Sequence, residues 1–421
     1  MLIVTLLVAL QDAPEVGHGF RGEAVRVLHD WRGDAAGEQL GWVARNAGDV
    51  DGDGHDDVIA SAPFRAAEGA PAGRVLVWSG ASGELLFEKH GEPGEQLGRV
   101  VCGLGDLDGD GHAEFAAGAP MAQGGTGRAL VWSGADGSVR FELEGLEPGG
   151  QFGMYVSETG DLDGDGAGDF AVAAPSMGPG VVLVYSGADA RELGALEGER
   201  EGDLFGSAIG SGAWIGSKRL VIGARDAGEG RRGRAYVYDL ALPLPEPRFR
   251  IEAEPTGVDL GRFFVSVLGD VDGDGEPDVY AADFADSADS VPGRSGGRFY
   301  VHSGADGARL FARGAFAPGQ GLGIGDARAG DQDGDGRADL IVGAWTHGDD
   351  GAGAAYLLSG RDLSVLATFQ SSVAGEAMGF DATSLADLDG DGRRELLLTG
   401  AYHPAAGPQT GRVVVVSSRS R

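Results

Sequence analysis

Acidic residues return at fixed spacing in six short segments of the chain, and their types suit the binding of a hard cation. The segment Gly105–Pro120 reads GDLDGDGHAEFAAGAP, and five other segments repeat its pattern. Counted from the first Asp, each copy has carboxylates at positions 1, 3, 5 and 9 and glycines at positions 4 and 6. Oxygen ligands at this density suit calcium, and the glycines allow the tight backbone that wraps a single ion. Because four carboxylates so close together would repel one another without a cation, we predict about six Ca²⁺ ions, one for each copy.

The residues after the acidic positions distinguish these loops from EF-hands, which close with a Glu at position 12 and lie between two helices. Position 12 is Ala60, Ala117 and Val172 in the first three copies, and these side chains cannot bind a metal. Short apolar runs ended by proline follow position 9 in the same copies, as is typical of buried strands. We therefore expect each loop to join two strands of a β-hairpin, with the position-9 carboxylate closing the site from the second strand. The predicted side-chain ligands are Asp49, Asp51, Asp53 and Asp57; Asp106, Asp108, Asp110 and Glu114; Asp161, Asp163, Asp165 and Asp169; Asp270, Asp272, Asp274 and Asp278; Asp331, Asp333, Asp335 and Asp339; and Asp387, Asp389, Asp391 and Glu395.

The spacing of the loops indicates an internal repeat. The first Asp residues fall at 49, 106, 161, 270, 331 and 387, so one gap (161 to 270) is about twice as long as the others. A seventh unit without the acidic loop fills this gap at Ile209–Arg225, where RLVIGAR replaces DFAVAAP. Lys218 and Arg219 lie there in place of acids. Either these cations substitute for the charge of calcium, or the hairpin simply binds no metal.

Each unit also contains the same series of strands. A pair ending in glycine, such as Leu97-Gly98, precedes an apolar strand, the acidic loop and a second apolar strand. A variable loop, an alternating strand such as Gly73–Gly80 (GRVLVWSG), a tight turn and a fourth strand such as Leu85–His90 complete the unit. Seven units of four antiparallel strands predict an all-β fold, a seven-bladed β-propeller that occupies residues 22–418. The predicted blades are residues 40–90, 97–144, 152–197, 205–253, 260–314, 322–370 and 378–418, the last completed by residues 22–32.

The units resemble FG-GAP repeats, the blades of the integrin α-subunit propeller and of many secreted bacterial proteins. The resemblance rests on Phe152-Gly153 with Ala173-Ala174-Pro175 and on Leu97-Gly98 with Gly118-Ala119-Pro120, with Asp-x-Asp-x-Asp-Gly between them. It covers roughly residues 22–418, although several units have Leu or Met in place of the Phe and the fourth lacks the acidic loop. It implies calcium in the hairpin between the two inner strands, with the backbone carbonyl of position 7 as a further ligand. The residues at position 7 are His55, His112, Ala167, Glu276, Arg337 and Arg393, and the two imidazoles are expected to face solvent.

The two ends of the chain predict how the ring closes. Gly411–Ser418 (GRVVVVSS) matches the third strand of the last unit, and Ala24–Trp31 (AVRVLHDW) matches a fourth strand. We therefore expect the N-terminal strand to complete the last blade and to cover its open edge. Residues 1–13 contain the apolar run Leu2–Leu10 and are expected to form an export segment, although a start-codon artefact or a disordered tail are alternatives. The expected location is secreted, at the cell surface or in the periplasm, without a membrane span.

Charge and composition exclude several classes of function. The formal net charge is −32, and the six loops with four acids each hold 24 of the 65 acidic residues. Such a chain is not expected to bind nucleic acid or an anionic membrane. The single cysteine, Cys102, lies in an apolar run and is expected to be buried. Arg32-Gly33-Asp34 spells an integrin-ligand tripeptide, which chance explains in a chain of this composition. We find no Ser-His-Asp set, paired general-acid carboxylates, zinc spacing or phosphate loop in the sequence.

Two classes of function remain open. The first is an extracellular binding or adhesion module, a monomer that recognises a protein or glycan ligand. The alternative is a secreted carbohydrate lyase or hydrolase that uses the axial funnel, since propellers carry both kinds of function. The ligand is expected on the face opposite the calcium loops, because the loops between the second and third strands vary most. The longest of them is Asp283–Gly296, with Asp283, Asp286, Asp289 and Arg294, and residues 347–350 and 403–409 are expected beside it.

Overall fold

Seven antiparallel β-sheets form a ring in the computed structural model, which describes residues 19–21 and 25–417. The all-β, seven-bladed β-propeller predicted from the repeat is confirmed. In each of the first six blades the four main strands follow chain order from the axis to the rim, whereas the seventh takes its outer strand from the N-terminal part of the chain. The expected export segment, residues 1–13, lies outside the described residues.

The strands of each blade have the following bounds, from the axis outward: Ala44–Gly48, Asp57–Ser61, Arg74–Trp78 and Leu85–His90; Val101–Gly105, Glu114–Ala119, Arg128–Trp132 and Val139–Glu144; Tyr155–Gly160, Asp169–Ala174, Val181–Tyr185 and Glu192–Glu197; Phe205–Ser211, Arg219–Ala224, Arg234–Asp239 and Phe249–Glu252; Val265–Val267, Val279–Asp283, Arg298–His302 and Arg309–Gly314; Leu322–Gly330, Asp339–Ala344, Ala354–Leu358 and Val365–Ser371; and Met378–Ser384, Leu396–Gly400, Arg412–Ser417 and Arg26–Arg32.

Only short elements interrupt the loops. A hairpin of Ala66–Ala67 and Ala70–Pro71 lies between the second and third strands of blade one. The helical elements are Ala122–Gly125, Ala213–Ile215 and Glu229–Arg231. Within the described ranges, no helix is both long and apolar enough to cross a membrane.

The inner strands are buried on both faces because each blade is packed between two others. In the third strand of blade one, Val75 and Val77 pack toward blade two, whereas Leu76 and Trp78 pack toward blade seven. This sorting follows from the alternation of side chains along a strand. The outer strand, Leu85–His90, is only partly buried, and its exposed positions include the polar residues Glu88 and His90.

The apolar core lies between the blades. Buried side chains of the described residues gather in seven clusters, each formed mainly by two neighbouring blades. Burial of one Val or Leu side chain stabilises a fold by about 1.5–3 kcal/mol. A blade taken out of the ring would lose both of its clusters, and each blade therefore depends on its neighbours.

Two glycines of the repeat allow adjacent blades to meet backbone to backbone. Gly73 forms a parallel bridge with Leu97 of the next blade, and its φ is +93°. A Cβ at Gly73 would lie 2.1 Å from the carbonyl oxygen of Leu97, so no other residue fits there. The glycine of the next pair, Gly98, is crowded by a side chain instead, because a Cβ there would lie 2.9 Å from the Cβ of Ser61 in the preceding blade. The Leu-Gly or Phe-Gly pair of the repeat is therefore part of the junction between blades.

The N-terminal strand closes the ring as predicted. Arg26–Arg32 pairs antiparallel with Arg412–Ser417 as the outer strand of blade seven. Trp31 of this strand stacks on Trp78 of blade one, with ring centroids 4.8 Å apart. Backbone pairing to the last blade and side-chain packing on the first thus hold the ends of the propeller together.

A second contact of the N-terminal part was not predicted. Phe20–Arg21 pairs with the outer strand of blade six, Val365–Ser371, and makes this sheet five-stranded. The segment is only two residues long and has no pattern that could be recognised in the sequence.

A buried arginine, Arg412, links the N-terminal strand to blade seven through hydrogen bonds. The Nε of Arg412 donates to Asp30 Oδ1 of the N-terminal strand at 2.8 Å, and its Nη1 donates to Glu376 Oε1 at 3.2 Å. The side chain of Arg412 is 1% exposed. Removal of one member of a buried charge group costs about 3–5 kcal/mol, because the remaining charge stays buried without a partner.

Candidate functional site

The acidic loops all lie at one end of the blades, where each joins the first strand to the second. In five groups of acids, one in each of five loops, carboxylate oxygens come within 4.8 Å of one another. Two oxygens that each lie 2.3–2.6 Å from one Ca²⁺ are at most about 5 Å apart, so this spacing fits a shared calcium ion. The groups are Asp49, Asp51 and Asp53; Asp106, Asp108 and Glu114; Asp161, Asp163 and Asp169; Asp270, Asp272 and Asp278; and Asp387, Asp389, Asp391 and Glu395.

Backbone N–H groups orient the first Asp of each loop. In blade one, Gly54 N donates to Asp49 Oδ2 at 2.9 Å. In blade six, Gly336 N donates to Asp331 Oδ2 at 2.9 Å, so the sixth loop has the same internal hydrogen bond. Both glycines have a positive φ, which turns the chain back over the carboxylate. The loops are thus folded around the carboxylate of position 1.

The position-9 carboxylate is the buried member of each loop. In blade one, Asp57 Oδ2 accepts a hydrogen bond from Val50 N at 2.8 Å and Oδ1 accepts one from Gly80 N at 3.0 Å. Burial raises the pKa of Asp57 to about 6, and burial raises the pKa of Glu395 in blade seven to about 7. A divalent cation beside such a group favours its charged form. The buried position-9 carboxylate belongs to four of the five groups, all except that of blade one, and these carboxylate donors fit a hard cation.

The side chains at position 7 turn away from their own loops in two blades. His112 Nδ1 lies 2.8 Å from the carbonyl oxygen of Val50 in blade one, and Arg337 Nη1 donates to the carbonyl of Val271 in blade five at 3.2 Å. The imidazole of His112, expected to face solvent, instead contacts the neighbouring blade. This contact is the main reason that the pKa of His112 is raised. In these loops position 7 can serve a metal only through its backbone carbonyl.

Arginines contact the position-3 carboxylate in some of the loops. Arg140 forms an ion pair with Asp108, and Arg191 Nη2 lies 2.9 Å from Asp163 Oδ2. Arg191 is more than half exposed, and exposed pairs of this kind contribute about 0–1 kcal/mol to stability. The arginines offset part of the charge of the loops but are too weak to take the place of a bound divalent ion.

Blade four has a cation where the other blades have the position-9 acid. Arg219 begins the second strand, is 4% exposed, and its Nε donates to Asp239 Oδ1 at 2.9 Å. Its Nη1 donates to the carbonyl of Pro277, and its Nη2 lies 3.5 Å from Glu276 Oε2, both in the acidic loop of blade five. The guanidinium thus links this hairpin to the next loop, whereas Lys218 is exposed.

An axial cavity of about 520 Å³ lies at the end of the ring that carries the acidic loops. Charged groups on and behind its wall form ion pairs: Arg45 pairs with Asp381, and Arg328 pairs with Asp326. Both acids are buried, with exposures of 1% and 6%. Carboxylates held by arginines in this way serve the packing of the first strands around the axis.

The only cysteine lies beside this cavity and is buried, as expected. Cys102 Sγ lies 3.0 Å from Glu158 Oε2. Burial, assisted by the negative charge of Glu158, raises the pKa of the Cys102 thiol well above its ordinary value. The group is therefore a thiol at neutral pH and a poor nucleophile.

A second cavity, of about 270 Å³, lies on the axis at the opposite end. Tyr155 lines both cavities, and its hydroxyl donates to the carbonyl of Phe263 across the axis. We call the second cavity the arginine–aromatic cavity. The side chains that give it this name are Arg99, Arg262, Trp42, Phe263, Phe284, Trp345, Phe380 and Tyr402.

The repeat places these side chains at two equivalent positions. Trp42, Arg99, Arg262 and Phe380 each follow the glycine of the Leu-Gly or Met-Gly pair, where the first strand approaches the axis. The remaining aromatic residues, apart from Phe263, each follow the second strand of their blade. Sequence reasoning missed this cavity. The sequence does contain the information, because both positions can be counted from the repeat. The arginines and aromatic residues stand out only when the equivalent positions of all blades are compared.

The long loop of blade five is less free for binding than predicted. Asp283 and Asp286 are both fully buried, and Asp286 Oδ2 accepts hydrogen bonds from Thr256 Oγ1 at 3.0 Å and Arg298 Nε at 3.2 Å. Arg294 donates to the carbonyl oxygens of residues 346 and 348 in blade six, so these two loops are neighbours as expected. Three of the four charged residues proposed for binding are therefore used within the fold. Asp289 stays exposed.

Asp283 should make the stability of the protein fall as the pH rises from about 4 to about 7. Burial raises its pKa to about 7, above the ordinary value of about 3.9 for an unfolded chain. The folded state holds a proton across this window and the unfolded state does not, so a rise in pH favours unfolding. Asp283→Asn should flatten this dependence when urea unfolding is measured in calcium at about pH 5 and about pH 7. The exposed Asp349→Asn variant should keep the dependence of the parent, and an unchanged slope in Asp283→Asn would refute the assignment.

The charged side chains of the tripeptide Arg32-Gly33-Asp34 form ion pairs within the fold, and both are exposed. Arg32 Nη2 donates to Asp30 Oδ2 at 2.7 Å, and the carboxylate of Asp34 accepts from Arg65 and from Arg74. Gly33 is buried, and a Cβ at this position would meet the carbonyl oxygen of Thr410 at 2.3 Å. The segment is part of the junction between blades seven and one.

Comparison with known proteins agrees with the repeat and the fold. The family model for the FG-GAP repeat matches residues 44–78 and 97–132. The chain is 33% identical over 180 residues to integrin alpha-PS5 of Drosophila melanogaster and 34% identical over 162 residues to integrin alpha-4 of Xenopus laevis. These matches cover 39% and 36% of this chain but only 17% and 15% of the two relatives.

Among solved structures, BBS1N in complex with ARL6DN matches with a TM-score of 0.54 at 11% sequence identity, over 93% of this chain and 96% of that one. At this identity the match shows a common fold and no more. The matched residues 44–78 and 97–132 are the first three strands, with the acidic loop, of blades one and two, and the other blades repeat their arrangement. The chain is thus a seven-bladed β-propeller with FG-GAP repeats, similar over part of its length to integrin α subunits.

Proposed function

We propose that this chain is a calcium-stabilised propeller that acts outside the cell as a binding or adhesion module for a protein or glycan ligand. The similarity to integrin α subunits supports a role in adhesion. The ligand binds the face opposite the acidic loops, and the propeller works as a monomer. Calcium stabilises each hairpin by joining its two strands, and it takes no part in a chemical reaction.

The observation that carries this proposal is the difference between the two ends of the ring. At one end, six loops have nearly the same sequence and the same internal hydrogen bonds, as parts with a shared structural task do. At the other end, the loops differ in length from blade to blade and surround the arginine–aromatic cavity. Binding sites are usually built from variable loops and a partly apolar cavity on a rigid scaffold.

The proposed metal ligands are the carboxylates at positions 1, 3, 5 and 9 and the carbonyl at position 7 of each of the six loops. Each ion would join the start of the second strand to the end of the first, because position 9 begins the second strand or immediately precedes it. The ions would also neutralise a large part of the net charge of −32, since six Ca²⁺ carry +12. Millimolar extracellular calcium suits loops of modest affinity.

The proposal is tested by probing arrays of extracellular proteins and of glycans with the purified full chain, in calcium and in EGTA. We expect binding to one class of ligand in calcium and its loss in EGTA. If no ligand binds and a polysaccharide is instead cleaved, the alternative of a carbohydrate-active enzyme would replace the binding module.

Once a ligand is found, the exposed part of the blade-five loop should contribute to its binding. Replacement of residues 287–293 by a Gly-Ser segment of equal length keeps Asp283, Asp286 and Arg294, which the fold uses. We expect binding to weaken about tenfold, equivalent to about 1.4 kcal/mol, while the number of bound calcium ions stays unchanged. The matched control replaces residues 66–71, the small hairpin in the corresponding loop of blade one. Equal affinity of both variants and the parent would remove blade five from the site.

A further inference from the structure

The arginine–aromatic cavity contains a cation, Arg99, that contacts aromatic rings but no acidic group of the described residues. The guanidinium of Arg99 lies 4.6 Å from the ring centroid of Trp42 and 5.7 Å from that of Phe263. Among the described residues, no hydrogen bond or ion pair holds this guanidinium. Desolvation lowers the pKa of Arg99, and the nearby positive charges of Arg262 and Arg225 add to this effect. A half-buried cation of this kind is stabilised by an anion that enters the cavity.

The second arginine is only partly satisfied. Arg262 Nη1 donates to Asp259 Oδ2 at 2.9 Å, while its Nε is buried without a hydrogen-bond partner. Its guanidinium lies 4.9 Å from the ring centroid of Phe263, on the same ring that Arg99 approaches. Two arginines thus converge on one aromatic ring, and the carboxylate of Asp259 is bonded to only one of them, Arg262.

The cavity offers hydrogen-bond donors and almost no acceptors. None of the described residues that line it is an Asp, Glu, Asn or Gln. The hydroxyl of Tyr155 is already engaged with the carbonyl of Phe263. This absence of acidic groups occurs in a chain with a net charge of −32, so the cavity is a positive region in an acidic protein. A ligand that fits must bring acceptors and negative charge.

The rest of the wall is apolar, which narrows the class of ligand. Phe263 stacks on Phe284 at 5.7 Å, and Phe380 lies 5.0 Å from Trp42 and 6.1 Å from Trp345. A neutral sugar needs acceptors for its hydroxyl groups, and this wall supplies few. A carboxylate next to apolar groups would pair with the arginines and pack on the rings. The volume of about 270 Å³ is just below the range of about 300–1,000 Å³ for small-molecule sites, and it suits one or two side chains.

We propose that the arginine–aromatic cavity binds an acidic side chain, flanked by apolar residues, of a partner protein. Arg99 and Arg262 pair with the carboxylate, and the surrounding rings cover the apolar neighbours. The inference rests on the proposed function as a binding module and names the chemistry of its ligand. Because attraction between charges is screened by salt, the interaction weakens as the ionic strength rises.

The test selects short random peptides displayed on phage against the full chain in calcium, with removal of peptides that also bind the Arg99→Gln variant. We expect the remaining peptides to share an Asp or Glu beside aromatic or aliphatic residues. A selected peptide, labelled with fluorescein, should bind about tenfold or more weakly to Arg99→Gln and to Arg262→Gln, because each removes a charge-assisted hydrogen bond. Its counterpart with Gln in place of the acid should lose affinity to a similar extent.

Control variants separate recognition from folding. Arg99→Lys keeps the charge and should retain part of the affinity, and Arg361→Gln, an exposed arginine at the opposite end, should bind as the parent does. All variants should melt near the temperature of the parent. If no peptide depends on Arg99 or Arg262, or if the dependent peptides lack an acidic residue, the proposal is wrong.

The same variants distinguish other outcomes. Loss of binding to an acidic glycan in Arg99→Gln, with no selected peptide, would mean an anion site for glycans and would overturn the assignment to a protein. Binding of a protein from the array that is indifferent to both arginines would leave the binding module intact but place its site elsewhere.

Discussion

In EGTA the propeller should melt at a much lower temperature than in millimolar calcium. A ligand that binds only the folded state stabilises it by RT ln(1 + [L]/Kd), about 2.7 kcal/mol for one site at a hundred times Kd. Two sites at that saturation would already contribute about 5 kcal/mol, and the six loops can contribute more. An unfolding entropy of about 2.1 cal/mol/K per residue means that about 1 kcal/mol shifts the melting temperature of a propeller of this size by about 1.2 °C. Six sites at that saturation contribute about 16 kcal/mol, so we expect a decrease of more than about 10 °C. Circular dichroism at increasing temperature, in calcium and in EGTA, measures this difference.

Single substitutions connect the loss of stability to the loops. Asp387→Asn removes the first carboxylate of the blade-seven loop and should reproduce part of the effect of EGTA. Asp362→Asn is the matched control, because Asp362 is an exposed acid in a turn at the same end of the ring that belongs to no acidic loop. An unchanged melting temperature in EGTA, or equal effects of the two substitutions, would show that the loops do not stabilise the fold through a metal.

Deletion of residues 1–32 should abolish the cooperative folding of the propeller or cause the protein to aggregate. The deletion removes Arg26–Arg32 and exposes Arg412–Ser417 as an open edge of valine-rich strand. It also removes Asp30, so that the buried Arg412 loses one of its two carboxylate partners and keeps only Glu376. Loss of this hydrogen-bonded charge weakens the closure, and exposed strand edges favour pairing between chains.

A shorter deletion provides the control for this experiment. Removal of residues 1–18 keeps both N-terminal strands that pair with blades six and seven and should leave the melting temperature unchanged. Size-exclusion chromatography and thermal unfolding compare the two deletions with the parent. A monomeric protein without residues 1–32 that melts like the parent would contradict the role of the N-terminal strand in closing the ring.

The fold could be predicted from the sequence because the same pattern of strands and loops recurs in every blade. One copy of the acidic loop is ambiguous, but six copies define a period that locates the seventh unit even where the acids are replaced by Lys218 and Arg219. The closure by Ala24–Trp31 could be predicted for the same reason, since this segment matches the fourth strand of other units. Phe20–Arg21 could not be predicted, because two residues carry no recognisable pattern.

The sites were predicted less completely. The acids of the loops are adjacent in sequence, so their proximity follows from local spacing alone. The arginine–aromatic cavity is formed by residues from most of the blades, and its chemistry depends on how the blades meet at the axis.

For the blade-five loop, the amino-acid composition was misleading. Asp283 and Asp286 look like surface acids in the sequence, yet both are buried and bonded to neighbouring backbone or side chains.

The assignment of the acidic loops as calcium sites is tested most directly by the number of calcium ions that the full chain binds. Equilibrium dialysis against calcium, followed by determination of metal and protein, measures this number, and a parallel dialysis with EGTA gives the background. We predict about six ions for each chain, one for each loop with four carboxylates. A value of about two or fewer would contradict the assignment of these loops as calcium sites.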